Sequence, residues 1–457
     1  MKRLLKKILE KKLRFFSKRI LNKYEPDVIG VTGSVGKTST KEAIFTVLSG
    51  KFSVRQSQGN YNNEIGVPLT IIGYHSPGRS VFGWLAVFFK AFKLLLWHHP
   101  YPKVLVLEMA ADKPGDIEYL TQFIPLNVGI VTAVAPVHTE FFKTLKNIAK
   151  EKSSIIKNLP PDGFALINAD DELVLPMKEK TKASVSTYGL SKEAEVQASE
   201  INLSYGQEQK IDGLKRSEIK GLSFKIKYNG STAPFFLPGV VGEHQVYTAL
   251  VAAAVSLAYG LNLVTIANRL KEYHSPPGRM NLLPGIKGTL IIDDSYNSSP
   301  KASLAALEVL GKINLGQDMP RAVKPKAMKK LPRGSKRFLK FAALGDMAEL
   351  GEFTQEGHAM VGQKVVGVAD ILITVGQKAK IIAKEALKRG MHEMQIFSFD
   401  YADQAARFLQ DRIHKGDIIL IKGSQVSRME KVVKEIMAQP MKADELLVRQ
   451  GESWQEE

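Results

Sequence analysis

Residues 28–40 read VIGVTGSVGKTST. A β-branched run enters a glycine-rich turn, and Lys37, Thr38 and Ser39 open a helical stretch. Backbone N–H groups in such a turn close on phosphate oxygens, and the helix N-terminus adds positive potential. On this pattern Gly33, Ser34, Val35, Gly36 and Ser39 cradle the phosphates of ATP. Lys37 reaches the β- and γ-phosphates, and the Thr38 hydroxyl ligates Mg2+. The fit to the general P-loop spacing departs at one position, where Val31 stands and the nearest glycine is Gly30. A second chemical cluster is the loop 59–68, GNYNNEIGVP. Its three amides, Asn60, Asn62 and Asn63, could donate to and accept from a substrate, or could form an Asx-rich turn.

These residues need a scaffold, and the composition bounds it. A chain of 457 residues has room for two to four domains at roughly 150 residues each. With 44% apolar and 24% charged residues it is an ordinary globular composition, neither disordered nor fibrous nor polytopic in a membrane. It has no cysteine, which excludes disulfides, thiolate nucleophiles and Cys-ligated metals and suits a cytoplasmic setting. The net charge of +18 is concentrated in two places. Residues 1–24 hold ten Lys/Arg against Glu10, and residues 321–340 hold nine Lys/Arg and no acid. The body is therefore balanced, which argues against nucleic acid as a partner, since that would call for a basic surface spread over the fold.

Residues 1–24 alternate apolar and basic positions at helical spacing, Leu4, Leu5, Ile8, Leu9, Phe15, Phe16 and Ile20 among Lys and Arg. This predicts a basic amphipathic helix that lacks the apolar core of a signal peptide. It would adsorb to an anionic membrane face, or pack as a solvated helix on the body or on a partner. Residues 81–97, VFGWLAVFFKAFKLLLW, are strongly apolar but short and carry Lys90 and Lys93. They suit a core helix better than a membrane span, with an interfacial helix as the alternative. The basic, proline-containing stretch 311–340 reads as an exposed loop, with an anionic-substrate clamp as the alternative.

Parallel strands are expected at 27–33, 104–109, 128–134 and 164–168, and a hairpin series over 198–238 turns at Asn229 and Gly230. A second α/β series follows at 289–293, 341–345, 371–375 and 417–421. The resulting organisation is a helix over 1–26, an α/β domain over 27–280 and another over 281–457.

Further motifs occur in a fixed order: GEHQVYTALVAA at 242–253, Pro277 to Arg279, DDSYNSSP at 293–300, GDMAELG at 345–351, and Lys422 to Ser424 followed by Met429 and Glu430. With the P-loop and the asparagine loop, they resemble the Mur ligase family of ATP-dependent amide-forming enzymes over about residues 27–435. Within it they are most similar to the branch that adds D-alanyl-D-alanine to UDP-N-acetylmuramoyl-tripeptide in peptidoglycan synthesis. The resemblance implies a P-loop central domain with a parallel sheet and a C-terminal Rossmann-like α/β domain.

It also implies roles for single residues. Glu108 would share Mg2+ with Thr38, and His138 with a carbamylated Lys152 would hold a second Mg2+. A carbamate turns a cation into an anionic oxygen donor, which suits a hard cation. Lys37, Glu108, His138 and Lys152 would then be catalytic. Arg279, Asp293 and Asn297 would reach the nucleotide, Asp293 at its ribose, and Thr248 stands where an adenine-contacting Asn is usual. Asp346, Lys422 and Ser424 sit at expected strand ends, where open α/β sheets carry their ligand loops. Three further positions differ from the family pattern: Ser298 and Ser299 replace Ala–Asn, and Gln425 replaces Arg. Only 26 residues precede Asp27, too few for the family's N-terminal UDP-sugar-binding domain, and the basic helix stands in its place. Two other functions fit the same motifs: a Mur-like ligase for another carboxylate and amine, and a membrane-associated ATP-binding scaffold.

Overall fold

A computed structural model describes residues 2–59, 61–135, 139–211, 214–314, 338–451 and 454. The expected roles of Asn60 and His138, and almost all of the basic loop 321–340, lie outside the described residues. The chain forms two compact units. The first contains residues 1–201, 224–236 and 244–273, and the second 202–223, 237–243 and 274–457.

Helix α1 (Lys2–Tyr24) opens the chain. It is followed by β1 (Asp27–Thr32), α2 (Lys37–Leu48), β2 (Val54–Gln56), α3 (Gly66–Ile72), α4 (Val81–Leu96) and β3 (Val104–Glu108). Next come α5 (Asp116–Thr121), β4 (Val128–Val131), α6 (Thr139–Phe142), α7 (Leu145–Lys157), β5 (Phe164–Asn168) and β6 (Ser184–Gly189). Strands β7 (Val196–Ile211), β8 (Leu214–Tyr228) and β9 (Ser231–Pro238) precede α8 (Glu243–Ala258) and α9 (Leu263–Leu270). The sheet order is β2-β3-β1-β4-β5-β6-β7-β8-β9. β2 to β6 pair in parallel around β1, whose neighbours β3 and β4 lie on opposite sides. That reversal of strand order makes the C-terminal end of β1 a topological switch point, the place where α/β sheets bind ligands.

Five of the six β1 residues are buried, as expected for a parallel strand covered on both faces. Helix α7 lies close over that strand because Gly30 has no side chain: a Cβ there would sit 2.9 Å from Ile155 Cδ1. α7 starts at Thr144, whose hydroxyl accepts from Asn147 N at 3.2 Å. The fourth strand stops at Val131 rather than running to 134, because Val134 N turns away from the ladder to donate to Asp171 Oδ2 at 2.9 Å. The hairpin turn at Asn229 and Gly230 is present, both with positive φ.

The segment 81–97 is neither wholly core nor wholly surface. α4 buries Val87, Ala91 and Leu94 and exposes the opposite side. α1 buries Leu13, Ile20 and Leu21 in the same cluster, so the basic helix is packed on the body.

In the second unit, β10 (Asn281–Pro284), β11 (Leu290–Asp294), α10 (Pro300–Lys312), β12 (Lys340–Gly345), α11 (Thr354–Val365) and β13 (Ile371–Val375) lead to α12 (Lys380–Lys388). β14 (Ile396–Phe399), α13 (Ala402–Arg412), β15 (Ile418–Lys422) and α14 (Glu430–Ile436) complete it. The order is β10-β11-β15-β12-β13-β14, parallel except for the β10–β11 pair. Apolar clusters cover both faces, one around Ile292, Leu344 and Leu420, the other around Ile291, Phe341 and Ile421. This alternation along each strand is that of a sheet with helices on both sides.

Candidate active site

In the first unit the glycine-rich turn follows β1 as the sequence pattern requires. Gly33 has φ +152, and a Cβ there would fall 1.9 Å from Thr132 Oγ1. Gly36 has φ +81 and opens α2. Both leave backbone amides free of side-chain cover, as a phosphate cradle needs. The turn is fastened from beyond β4: Thr132 Oγ1 donates to Val35 O at 2.6 Å, Ser34 N to Ala133 O at 2.8 Å, and Ser34 Oγ to Ala135 O at 3.0 Å. Lys37 Nζ donates to Gly33 O at 2.8 Å, folding its cation over the turn. Val35 is exposed, Thr38 is half-buried in the first turn of α2 and Ser39 is buried.

Glu108 ends β3 in register with Val31, so the strand pairing sets it beside the start of the turn. It is buried; Asn62 Nδ2 donates to its Oε1 at 3.1 Å, and Oε2 has no hydrogen-bond partner among the described residues. A buried carboxylate oxygen without a donor is costly unless a cation completes it. With a glycine cradle, a lysine and a hydroxyl nearby, the residues present fit a Mg2+-bound nucleotide. Ser57 Oγ accepts from Glu108 N at 3.2 Å, and Lys41 Nζ donates to Ser57 O at 2.5 Å. Asn63 instead shapes the backbone, its Oδ1 accepting from Ile65 N at 3.2 Å and Gly66 N at 2.9 Å in the turn that leads into α3. Beside it a small cavity is lined by Asn63, Glu64, Ala110, Asp112, Asp116 and Tyr119.

Lys152 is buried on α7. Burial, and secondarily the positive charge of Lys37, pull its ammonium down to about 7, against the opposing pull of Glu151. Glu151 itself accepts from Gly115 N at 2.7 Å and Ile117 N at 2.8 Å at the start of α5. The structure thus sets the P-loop, Glu108 and Asn62 in direct linkage and places Lys152 within electrostatic reach of Lys37. Thr248 is separate, buried in α8 with its hydroxyl turned back to His244 O at 3.5 Å.

In the second unit the other expected residues lie at strand ends. Lys422 Nζ donates to Asp294 Oδ2 at 2.6 Å and to Asn297 O at 2.9 Å, following the β11–β15 register of Asp294 with Lys422. Asn297 is exposed, and its Oδ1 accepts from Ser298 N. Ser424 is buried and donates from Oγ to Asp346 O at 2.5 Å. Asp346 Oδ1 accepts from Ala379 N at 2.6 Å, ahead of α12. Asp293 is fully buried; Ser295 N donates to its Oδ1, Oδ2 has no hydrogen-bond partner among the described residues, and burial pushes the carboxyl up to about 6. The Arg279 guanidinium lies 3.9 Å from the centre of the Tyr296 ring. The serines at 298 and 299 serve the local fold, Ser299 capping α10 and Ser298 sharing a 2.8 Å hydrogen bond with Ser303.

Several positioning residues could not be picked out from the sequence. Thr132, Ser57 and Asp171 act through contacts distant in sequence and have no motif of their own. His358 is buried and accepts from Met347 N at 3.0 Å, holding the GDMAELG loop; burial lowers its basicity. Arg449 donates to Ser295 O at 3.2 Å and to Glu430 Oε2 at 3.0 Å, and also to Tyr296 O, gripping the DDSYN loop from near the chain's end.

Comparisons with known proteins agree on one family. The Mur ligase middle domain model matches residues 31–76 and 93–256, and the Mur ligase, glutamate ligase domain model matches residues 321–425. The UDP-N-acetylmuramoyl-tripeptide–D-alanyl-D-alanine ligase of Bacillus subtilis is 26% identical over 430 residues, 94% of this chain and 80% of that protein. Its counterpart in Mycobacterium tuberculosis is 29% identical over 428 residues, 90% of this chain and 73% of that protein. The structure of the MurF ligase of Thermotoga maritima in complex with ADP aligns with a TM-score of 0.69 at 25% identity, covering 93% of this chain and 83% of that one. The two domain models together match more than half of the chain, in the order in which the P-loop and the strand-end loops occur, and the chain belongs to the Mur ligase family.

Proposed function

We propose that this chain is an ATP-dependent acid–amino-acid ligase that adds D-alanyl-D-alanine to UDP-N-acetylmuramoyl-tripeptide in peptidoglycan synthesis. The observation that carries the reading is Glu108, buried in register with the start of the phosphate-binding turn and holding an oxygen without a hydrogen-bond partner among the described residues. The substrate class follows the relatives, which are UDP-N-acetylmuramoyl-tripeptide–D-alanyl-D-alanine ligases.

The reaction joins two anions before it makes an amide. The tripeptide carboxylate takes the γ-phosphoryl group of ATP, releasing ADP. The incoming amine then attacks the resulting acyl phosphate, and inorganic phosphate leaves. Lys37 and the amides of Gly33, Val35 and Gly36 would hold the phosphates, with Ser34 closing the turn onto Ala133 O and Thr38 and Ser39 opening the helix behind it. Thr38 and Glu108 would hold one Mg2+, and His138 with Lys152 a second. Bound Mg2+ would supply the positive charge that offsets repulsion between carboxylate and triphosphate. At pH near 7 and above, the Lys152 amine is neutral in a substantial fraction of molecules, the form that adds to CO2; the carbamate so formed loses a proton and becomes an oxygen donor.

Arg279, Asp293 and Asn297 would contact the nucleotide, as would Thr248; Asn60, Asn62, Asn63, Asp346, Lys422 and Ser424 would position substrate. The setting is cytoplasmic, with peripheral contact at an anionic membrane face through residues 1–24 and 81–97. No described helix is long and apolar enough to cross a membrane. The test is phosphate release from ATP with both substrates, omitting each in turn. Release that needs both, with the pentapeptide product formed, supports the reading; release that ignores either overturns it.

A further inference from the structure

Helix α4 carries an exposed apolar ridge. Phe82, Leu85, Phe89, Phe92 and Leu96 recur at helical spacing on the side opposite its buried residues Val87, Ala91 and Leu94. Phe82 is 84% and Phe89 70% exposed. A ridge of this size is uncommon on a surface that faces only water. At 16 residues, α4 is about 24 Å long, too short to span a bilayer.

The ridge has a basic neighbour. α1 packs alongside α4 on one core: Phe16 meets Phe88 at 5.7 Å between ring centres, and Lys12 Nζ sits 5.7 Å from the same ring. Lys23 Nζ donates to Leu94 O at 2.9 Å and Trp97 O at 2.7 Å, and Tyr24 OH to Leu94 O at 2.9 Å, so the end of α1 caps the end of α4. With their buried sides in a common core, both helices turn their other sides outward. On α1 that side presents Lys7, Lys11, Lys18 and Arg19 around exposed Ile8 and Phe15. The single acid of α1, Glu10, lies 3.6 Å from Lys6, and residues 81–97 contain no acid.

We propose that α1 and α4 form one composite docking face for an anionic phospholipid bilayer, with the α4 ridge entering the acyl boundary and the α1 cations meeting headgroup phosphates. It rests on the peripheral contact proposed for these segments and not on the ligase chemistry. Charge selects this occupant. A second copy docked through the same face would offer its α1 cations no acid from residues 81–97 and only Glu10 from α1. Nucleic acid would satisfy the cations but offers no apolar phase for five ridge side chains. A bilayer satisfies both, and long Lys side chains reach headgroups while their stems lie in the interface. The same helix is tied to the asparagine loop through Lys6 Nζ and Glu64 Oε1 at 2.8 Å, so docking also fixes an element next to Asn63.

The test is co-sedimentation of the full chain with vesicles of phosphatidylcholine, alone or with about one third phosphatidylglycerol. Wild type is expected to bind the anionic vesicles strongly and the neutral ones weakly. Phe82→Ser with Phe89→Ser, both at exposed positions, should weaken anionic-vesicle binding about tenfold or more. Lys7→Glu, Lys11→Glu and Lys18→Glu together should abolish the preference for anionic lipid. Thermal melting of each variant checks that the fold is kept, and tryptophan emission, to which the exposed Trp97 contributes, should shift to the blue when wild type binds. Absence of binding to anionic vesicles overturns the proposal, as does binding that both variants leave unchanged. Sedimentation velocity that shows a dimer dispersed by the phenylalanine changes, without vesicle binding, assigns the ridge to a second copy and also overturns it. None of these outcomes bears on phosphate release, so this proposal and the ligase reading fail separately.

Discussion

Asn62 donates its amide to one oxygen of Glu108 at 3.1 Å and leaves the other buried without a hydrogen-bond partner among the described residues. The asparagine loop therefore reaches a carboxylate whose residue pairs with Val31, just ahead of the glycine-rich turn. A cation taken up by Glu108 would be registered directly by the loop assigned to substrate.

Glu108→Gln keeps the shape and the Asn62 contact but removes the negative charge. Phosphate release is expected to fall about 100-fold or more, with a higher Mg2+ requirement. A magnesium titration of initial rates checks this. An unchanged rate would remove Glu108 from the metal site.

Lys152→Ala is expected to abolish turnover, and added bicarbonate should not restore it. Wild type equilibrated with 13C-labelled CO2 should show a carbamate carbon resonance that the variant lacks. The unmodified lysine also has a stability signature. Its folded value, about 7, lies below the unfolded 10.5, so between those limits the unfolded chain binds more protons and stability rises with pH. In CO2-free buffer the slope approaches about 1.4 kcal/mol per pH unit within that window. Lys152→Met should lack that contribution, as seen by denaturant melts at successive pH values.

Asp293 shows the opposite sign. Its carboxyl rises from 3.8 to about 6 on burial, so the folded chain binds more protons between those values and stability falls as pH rises through them. Asp293→Asn should melt higher than wild type at pH 8 and lose the dependence between about 4 and 6. If Asp293 reaches the ribose, nucleotide affinity should fall in the same variant, measured by calorimetry with ADP.

Lys422 and Asp294 form a buried pair at 2.6 Å, with side chains 2% and 13% exposed. Removing one partner strands the other charge. Lys422→Met is therefore expected to cost about 3–5 kcal/mol in denaturant melts. The double change with Asp294→Leu should recover part of that loss.

Much of this protein was legible before folding was considered. The 28–40 pattern located the strand, glycine-rich turn and helix because glycine and β-branched residues are constrained locally, and buried parallel strands such as 164–168 and 371–375 announce themselves as short apolar runs. Charge segregation likewise marked α1. Other features were settled only by contacts between distant residues. The Val31–Glu108 register, the Thr132 hydroxyl behind Gly33 and the Arg449 grip on the 295–296 loop join positions from 77 to 154 apart in sequence. The lowered Lys152 and raised Asp293 values arise from burial, a property of the packed chain. The same holds for residues 81–97: composition showed an apolar helix, but its neighbours decided which side is core and which is exposed. Local conformation follows from each residue's own steric limits, whereas burial, register and the field at a charge depend on what the rest of the chain brings alongside.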